Sequence, residues 1–395
     1  MKVVVFLVIN FFCFLINAQV LIGIDTAIAS ALRTNPKIQL SQLEFKQKKA
    51  LIRGSYNLEN PSIGIEAPYG NKFEINVQQN FQNPLIYVQQ AKLGKQNILL
   101  SEENQHLTKW QLIRDVRTVY LNLQYAEILV KQLSNQDSIF HNIFLSSARL
   151  YEAGDLGLLE KVSAETKSKE IENTLLNAKA DLKNAQLQLQ LIAGLKALNY
   201  KADEVIRKSN TKLPDGLEFD SAAIKKSALL SYYEQNTKVQ KQNLNLQKTK
   251  LLPGLSFGYL NQVGEEQPIN FHLRYGITLP LWFWTYSSEI KVAKYQYKMS
   301  QSQYAIAQNA YSSKYAEILN DIGKNTSNLN YYEKEGIKQA ELIKKTAKRS
   351  YDAGEISIVI YLYSLNEGFE IEQRYNEAIR NFNQAIIELN YLIGQ

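Results

Sequence analysis

The sequence predicts a mainly α-helical protein with a small amount of membrane β-structure, built as two copies of one unit. Three observations lead to this fold class: an internal repeat, two long stretches without proline, and a change of apolar period between neighbouring prolines. The chain has 395 residues, of which 45% are hydrophobic and 21% are charged. This composition is typical of a folded protein and excludes a disordered or collagen-like chain.

The internal repeat has a spacing of 200 residues. The segment YEAGDL at 151–156 returns as YDAGEI at 351–356, and LIAG at 191–194 is matched by YLIG at 391–394. Repeats at a fixed spacing indicate duplicated structural units. We therefore divide the chain into three parts: a signal peptide at 1–18, a first repeat at 19–210 with strands at about 61–80, and a second repeat at 211–395 with strands at about 254–281.

Each repeat is predicted to contain a short helix, two strands, a very long helix, a glycine turn and a return helix. Proline is absent from 85–213 and after 280. Because proline breaks helix interiors, both stretches can hold long helices. In the first repeat the helices are expected at about 25–57, 85–153 and 155–194, or roughly 50, 100 and 60 Å in length. The short helix stacked on the return helix would match the long helix, which favours a hollow helical bundle.

Between the prolines the apolar period becomes two. Residues 269–279 alternate between apolar and polar side chains over the length of a membrane-spanning barrel strand. A soluble hairpin with one hydrated face would show the same pattern. Trp282, Trp284 and Tyr286 follow directly. They indicate an aromatic belt at a membrane interface, or aromatic packing where a strand meets a helix.

Four strands per chain cannot close a barrel in a membrane, because open strand edges are not tolerated in lipid. If the strands span a membrane, several chains must therefore contribute them. Three chains would supply twelve strands, an even number within the range of known barrels.

The N-terminus reads as a secretory signal peptide. Lys2 precedes an apolar stretch at 3–16, and Ala18 is a suitable small residue for cleavage. A single membrane-anchoring helix is the alternative. Cys13, the single cysteine, lies in this segment, so the mature chain is expected to have neither disulfides nor thiolate metal ligands.

Motifs that would indicate catalysis are absent from the sequence. There is no nucleophile elbow, no phosphate-binding glycine loop and no zinc-protease motif, and the three histidines are scattered. The 45 basic and 38 acidic residues give a mild excess that is too diffuse for nucleic-acid binding. We therefore predict no enzymatic activity, no cofactor, no metal site and no nucleic-acid partner. A membrane export duct and a soluble periplasmic coiled-coil scaffold both remain open.

The order of these elements resembles the TolC family of outer membrane efflux proteins over essentially the whole mature sequence. The resemblance is carried by the duplication and by NP at 35–36, FQNPL at 81–85 and TLPLWF at 278–283. The Tyr-x-Ala-Gly turns and the terminal Leu-Ile-Gly add to it. This resemblance implies a homotrimer in which a 12-stranded outer membrane β-barrel, with four strands per chain, continues into a periplasmic α-helical barrel.

The resemblance also implies a function and partners. The chain would be the passive outer membrane channel of a tripartite efflux pump in a Gram-negative bacterium. Its partners would be a periplasmic adaptor, an RND-type or ABC-type inner membrane transporter, and outer membrane lipid. The expected cargo is metal ions or small toxic compounds, and a type I protein secretion duct is an alternative.

In such proteins the glycine turns lie at the closed periplasmic tip, where the adaptor docks. The matching positions here are Gly154, Asp155, Leu156, Gly157, Gly354, Glu355, Ile356 and Ser357. Candidate gate residues near these turns are Arg149, Tyr151, Glu160, Arg349, Tyr351, Tyr361 and Tyr363. The family often carries an acidic residue six positions after the glycine. Glu160 fits this pattern in the first repeat, whereas Ile360 stands at that position in the second.

Overall fold

The protein is described by a computed structural model covering residues 20–56, 58–67, 73–196, 200–209, 227–261 and 272–394. The predicted signal peptide, the turn at 68–71 and the first three residues of the alternating segment, 269–271, lie outside the described residues. The chain divides into two compact units. The first contains Met1–Ala31, Asp115–Asn210 and Asn325–Gln384, and the second contains Leu32–Arg114, Thr211–Lys324 and Ala385–Gln395.

The described part of the chain is dominated by helices, as the sequence predicts. In chain order they are α1 (Ile24–Thr34), α2 (Pro36–Leu51), α3 (Pro84–Ala153), α4 (Leu158–Ala193), α5 (Ala228–Thr249), α6 (Phe283–Tyr331), α7 (Ile337–Asp352) and α8 (Ile358–Ile393). The duplication is visible in their lengths, since α4 and α8 each have 36 residues. The 70-residue α3 is matched in length by α6, a π-helical turn at Tyr332–Gly336 and α7 taken together.

The first helical segment differs from the prediction of one helix at about 25–57. It is divided into α1 and α2 at Asn35, and a short 3₁₀ segment, Ile52–Tyr56, follows α2. The Asn35 side chain accepts a hydrogen bond from the backbone N–H of Lys37 at 3.0 Å. Pro36 follows as the first helical residue. An asparagine N-cap before a proline starts a new helix, because proline needs no hydrogen bond at that position.

In the first unit, a short parallel pair joins β1 (Val20–Ile22) to β4 (Tyr200–Ala202). The Tyr120 hydroxyl of α3 lies 2.7 Å from Asp203 Oδ1 and 3.1 Å from the carbonyl of Ile22. Burial, followed by the Asp203 carboxylate, raises the pKa of Tyr120. Glu127 of α3 accepts a hydrogen bond from the Ala202 N–H at 3.0 Å. These contacts fasten both strands to the long helix.

In the second unit, four strands form one antiparallel sheet in the order β2 (Ser62–Glu66), β3 (Glu74–Phe81), β5 (Gly254–Asn261), β6 (Leu273–Thr278). Helices α3 and α5 of this unit are joined by paired glutamines. Gln242 donates to Gln89 Oε1 at 2.6 Å and Gln235 donates to Gln96 Oε1 at 2.8 Å. The seven-residue spacing on both helices places the pairs along one antiparallel seam, where polar pairs fix the register.

Candidate membrane sheet and helix-turn tips

The strand registers place apolar and polar side chains on opposite faces of the sheet. One face carries the cross-strand rows Ile63–Val77–Tyr259–Leu273 and Phe81–Leu255–Ile277, and the row Gln79–Phe257–Tyr275, in which Gln79 is polar. The other face carries the rows Ser62–Gln78–Gly258–Arg274 and Asn80–Ser256–Gly276. Because alternate residues of a strand point to opposite faces, the period of two in the sequence becomes an amphipathic sheet.

The apolar face is exposed in the described chain. The side chains of Ile63, Tyr275 and Ile277 are 71%, 73% and 67% accessible. A contiguous apolar surface of this kind marks a contact with lipid or with another protein, because soluble proteins rarely expose one. The face is therefore a candidate membrane surface.

Both edges of the sheet have free hydrogen-bonding groups within the described residues. Strand β2 pairs only with β3, and β6 pairs only with β5. An edge strand with an apolar face readily pairs with a strand of another chain. The sheet is thus incomplete as a single copy.

The aromatic residues that follow β6 form an exposed cluster. The ring centroids of Trp282 and Trp284 are 5.2 Å apart, and the ring of Phe283 lies 5.4 Å from that of Trp284. Trp282 and Trp284 are 66% and 56% exposed. Tyr286 is half-buried instead and lines a cavity of about 410 Å³ beside the Lys250–Glu289 ion pair. The structure thus separates Tyr286 from the tryptophans with which the sequence analysis grouped it.

The two glycine turns, both in the first unit, have the same backbone structure. Gly154 and Gly354 adopt positive φ angles of 83° and 73°. After each glycine, the next N–H bonds back to a carbonyl five residues earlier, Asp155 to Leu150 and Glu355 to Ser350, both at 2.9 Å. Together with the glycine N–H bonds to Tyr151 and Tyr351, this pattern is the Schellman motif that ends many helices. Glycine is required because other residues strain in the left-handed region.

The return helices after these turns are capped in different ways. In the first repeat, Glu160 Oε2 accepts a hydrogen bond from the Gly157 N–H at 3.1 Å. In the second repeat, the Ser357 hydroxyl accepts from the Ile360 N–H at 3.4 Å. A complete capping box uses both bonds, so each tip contains one half of it. The acidic residue at 160, absent at position 360, therefore has a local structural role.

The aromatic residues at the tips also differ between the repeats. The Lys161 ammonium lies 4.9 Å from the ring centroid of Tyr151. At the matching positions, Tyr351 and Tyr361 stack with centroids 4.8 Å apart and an interplanar angle of 5°. Burial, more than the neighbouring carboxylates, raises the pKa of both stacked phenols. The structure thus brings Tyr351 and Tyr361 together, whereas Tyr363 is 71% exposed and makes no ring contact among the described residues.

The charged gate candidates are largely unpaired in a single copy. Lys348 and Asp352 form an exposed ion pair at 2.9 Å within α7, which raises the pKa of Lys348 through its hydrogen bond to Asp352. Arg149 and Arg349 are exposed and form no ion pair with any described residue. The arrangement leaves both guanidinium groups available to a second chain.

Sequence reasoning missed the cluster of Tyr120, Glu127 and Asp203. No motif marks it, because its partners are 75 or more residues apart and meet only through the β1–β4 pair. Burial raises the pKa of Glu127, against the lowering effect of the Ala202 N–H. In the described part of the chain, no group of three or more His, Cys, Asp and Glu side chains is placed to hold a metal ion. Among the described helices, none combines the length and the hydrophobicity of a membrane span.

Comparison with known proteins identifies the fold. The sequence matches no family model and no curated protein. Its structure is similar to the CmeC outer membrane channel of Campylobacter jejuni, with a TM-score of 0.81 and 15% identity over 94% of this chain and 85% of that one. It is also similar to the outer membrane protein VceC of Vibrio cholerae, with a TM-score of 0.73 and 13% identity over 94% and 96% of the chains. A third similar structure is the open state of the MtrE outer membrane channel of Neisseria gonorrhoeae. Its TM-score is 0.74 and its sequence identity is 15%, over 94% of this chain and 88% of that one.

Proposed function

We propose, from the fold that this chain shares with TolC-type outer membrane channels, that it is the outer membrane channel of a tripartite efflux pump. In this function the protein is a passive duct and performs no chemistry. A soluble periplasmic scaffold would need to bury its apolar surfaces within itself or against a soluble partner. The amphipathic sheet argues against that alternative.

The observation that carries the proposal is the exposed apolar face of a sheet with two free edges. In lipid, every backbone polar group must be paired, so the edges of β2 and β6 must meet strands of other copies. The two edge strands run in opposite directions, so β6 of one copy can pair antiparallel with β2 of the next. We propose a homotrimer that closes twelve strands in the outer membrane, with the apolar face toward lipid and the polar face toward the passage.

The helix-turn tips would be the periplasmic entrance. We propose that the turns at 154–157 and 354–357 dock a periplasmic adaptor that links the channel to an RND-type or ABC-type inner membrane transporter. Arg149, Arg349 and the Tyr351–Tyr361 stack are the proposed gate, together with Tyr151, Glu160 and Tyr363. The proposed cargo is metal ions or small toxic compounds. A type I protein secretion duct is the alternative.

Charge substitutions on the two faces of the sheet test the membrane assignment. Tyr275→Arg places a cation on the exposed apolar face and should cost about 2–4 kcal/mol near the bilayer midplane. Gln78→Arg is the matched control on the polar face and should cost little. The measurements are the yield of trimer in mild detergent, by mass, and conductance steps in planar bilayers.

Two results would contradict the proposal. Equal sensitivity of both faces would remove the membrane assignment of the sheet. A wild-type protein that is a monomer, and that extracts without detergent, would favour the soluble scaffold.

A further inference from the structure

A band of positive charge lies on the helices next to one end of the sheet. Helices α2 and α5 lead into β2 and β5, and α3 and α6 leave from β3 and β6. Because the strands are antiparallel in the order β2-β3-β5-β6, all four junctions lie at the same end of the sheet. We call four twelve-residue segments beside these junctions the collar: 42–53, 84–95, 239–250 and 283–294.

The collar has a highly unequal charge composition. Its four segments contain eleven Lys or Arg residues and two Glu residues, whereas the whole chain has 45 basic and 38 acidic residues. The rest of the chain is therefore slightly acidic, and the collar carries the entire positive excess. Part of this positive charge occurs in both repeats. Counted from the first residue of each helix, Lys92 and Lys95 of α3 have the same positions as Lys291 and Lys294 of α6.

Most collar lysines lack the acidic partners that several helix lysines have elsewhere in this protein. Outside the collar, exposed pairs such as Lys167–Glu170, Lys169–Glu172 and Lys314–Glu317 form within one helix at 2.8–2.9 Å. In the collar, only Lys250 is ion paired among the described residues, to Glu289 at 3.7 Å. Glu44, the other acid, accepts a hydrogen bond from Asn104. An external anion is therefore the natural partner of the remaining cations.

The surroundings of the collar indicate which anion this is. On α3, the exposed Leu85 and Val88 share a helix face with Lys92 and Lys95, since the four follow the spacing of three to four residues. At the start of α6, the exposed Trp282–Phe283–Trp284 cluster precedes Lys291 and Lys294. Apolar and aromatic groups followed by lysines match the order of acyl chain, interface and headgroup in a lipid leaflet.

We propose that the collar binds the phosphate headgroups of anionic phospholipids in the leaflet that adjoins the helices. This inference rests on the proposed function, because it places the sheet in a membrane. Lysines near such a surface attract anionic lipid additively, and the attraction is screened by salt. The lysines would then fix the depth of the sheet in the bilayer, which the apolar face alone leaves adjustable.

The test uses the full-length protein in mild detergent and follows the change in tryptophan fluorescence as the lipid is added, with Trp282 and Trp284 next to the collar and Trp110 as the third fluorophore. The collar variant carries Lys92→Gln, Lys95→Gln, Lys291→Gln and Lys294→Gln. The control variant loses the same charge from four ion-paired residues elsewhere, through Lys167→Gln, Lys169→Gln, Lys314→Gln and Arg374→Gln. Each protein is titrated with phosphatidylglycerol and with phosphatidylcholine at low and high salt.

We expect wild type and the control variant to bind phosphatidylglycerol about tenfold more tightly than phosphatidylcholine at low salt, with the preference falling at high salt. The collar variant loses four of the eleven collar charges, so it should lose a corresponding part of the preference and still conduct in phosphatidylcholine bilayers. Equal titrations of the wild type and the collar variant would overturn the inference.

Two further outcomes separate this inference from its alternatives. If the collar variant keeps the lipid preference but changes the ratio of anion to cation permeability, the lysines face the conducting path, and the lipid assignment is wrong. If the wild type conducts without any lipid preference, this inference alone fails. If it neither conducts nor prefers phosphatidylglycerol, the channel function fails with it.

Discussion

The two helix-turn tips share a backbone and differ in nearly every side-chain contact. Both turn through a glycine at positive φ with the same pair of hydrogen bonds. The first tip is then held by the Glu160 carboxylate and by Lys161 over Tyr151, the second by the Ser357 hydroxyl and the Tyr351–Tyr361 stack. The comparison shows that duplication preserves what the backbone requires, whereas the polar and aromatic contacts change independently in each copy.

The largest expected difference between the tips lies in the aromatic contacts. Tyr361 is only 6% exposed and packs in the cluster with Phe140, Leu362 and Leu365. Tyr361→Ala should therefore destabilise the protein by about 3–5 kcal/mol, as truncation of large buried aromatics does. Tyr151→Ala removes a half-exposed ring and one cation–π contact, and should cost about 1 kcal/mol. Chemical denaturation in detergent measures the stability of both variants. Equal losses of stability would contradict the predicted difference between the two tips.

The shared backbone predicts equal effects at the two glycines. Gly154→Ala and Gly354→Ala should each cost about 1–2 kcal/mol, because the left-handed region strains any residue with a Cβ. No other atom lies within 4 Å of the added Cβ at either position, so the cost is conformational alone. Gly323→Ala is the control. That residue lies inside α6 with the same open space, and the change should stabilise by up to about 1 kcal/mol. Unequal losses of stability in Gly154→Ala and Gly354→Ala would mean that the backbone of one turn changes conformation to accommodate the alanine.

The divided capping box predicts smaller effects. Ser357→Ala should cost about 1 kcal/mol through the lost N-cap bond. Glu160→Ala should cost a similar amount, whereas Glu160→Gln should cost little, because glutamine makes the same bond to the Gly157 N–H. The loss of thermal stability in each variant checks this. A large loss in Glu160→Gln would show that its charge, rather than its cap, matters.

The smallest effect on stability is expected from the arginines. Arg149→Ala combined with Arg349→Ala should change stability by less than about 0.5 kcal/mol, because both side chains are exposed and unpaired among the described residues. Exposed ion pairs contribute at most about 1 kcal/mol each, so a gate made by several of them between copies would open easily. Conductance of the double variant in planar bilayers should exceed that of wild type. Unchanged conductance would place the closure in the Tyr351–Tyr361 stack.

The sequence predicts the fold well because each element has a local signal. The glycines at 154 and 354 mark the helix ends, and the period of two in 255–259 and 273–278 marks strands with one apolar face. The prediction of a duplicated unit of helix, two strands, long helix and return helix is confirmed by the structure and by the similarity to outer membrane channels. Docking and gating roles at the tips stay predictions.

Features that depend on distant contacts could not be predicted in this way. The contact of Tyr120 with Asp203 joins residues 83 positions apart, and neither has a distinctive neighbour in sequence. The π-helical turn at Tyr332–Gly336 also lacks a local signal, since the matching part of α3 is a continuous α-helix. There the Tyr331 and Tyr332 rings pack close to Gly336, where an added Cβ would lie 2.9 Å from Tyr332 Cδ1. Such packing depends on residues that only folding brings together, so neither the apolar period of the sequence nor helix propensity predicts it.

The even number of strands in the sheet has an evolutionary consequence. Strands β2 and β6 run in opposite directions, and so do the two strands of each repeat, β2 with β3 and β5 with β6. A ring of six identical half-length chains would therefore present the same alternation of strand directions as a ring of three full-length ones. Gene fusion would halve the number of chains that must meet during assembly without altering the ring. After fusion the two halves of the chain could also differ in sequence. Positions 161 and 361 are an example, because Lys161 in the first repeat is matched by Tyr361 in the second.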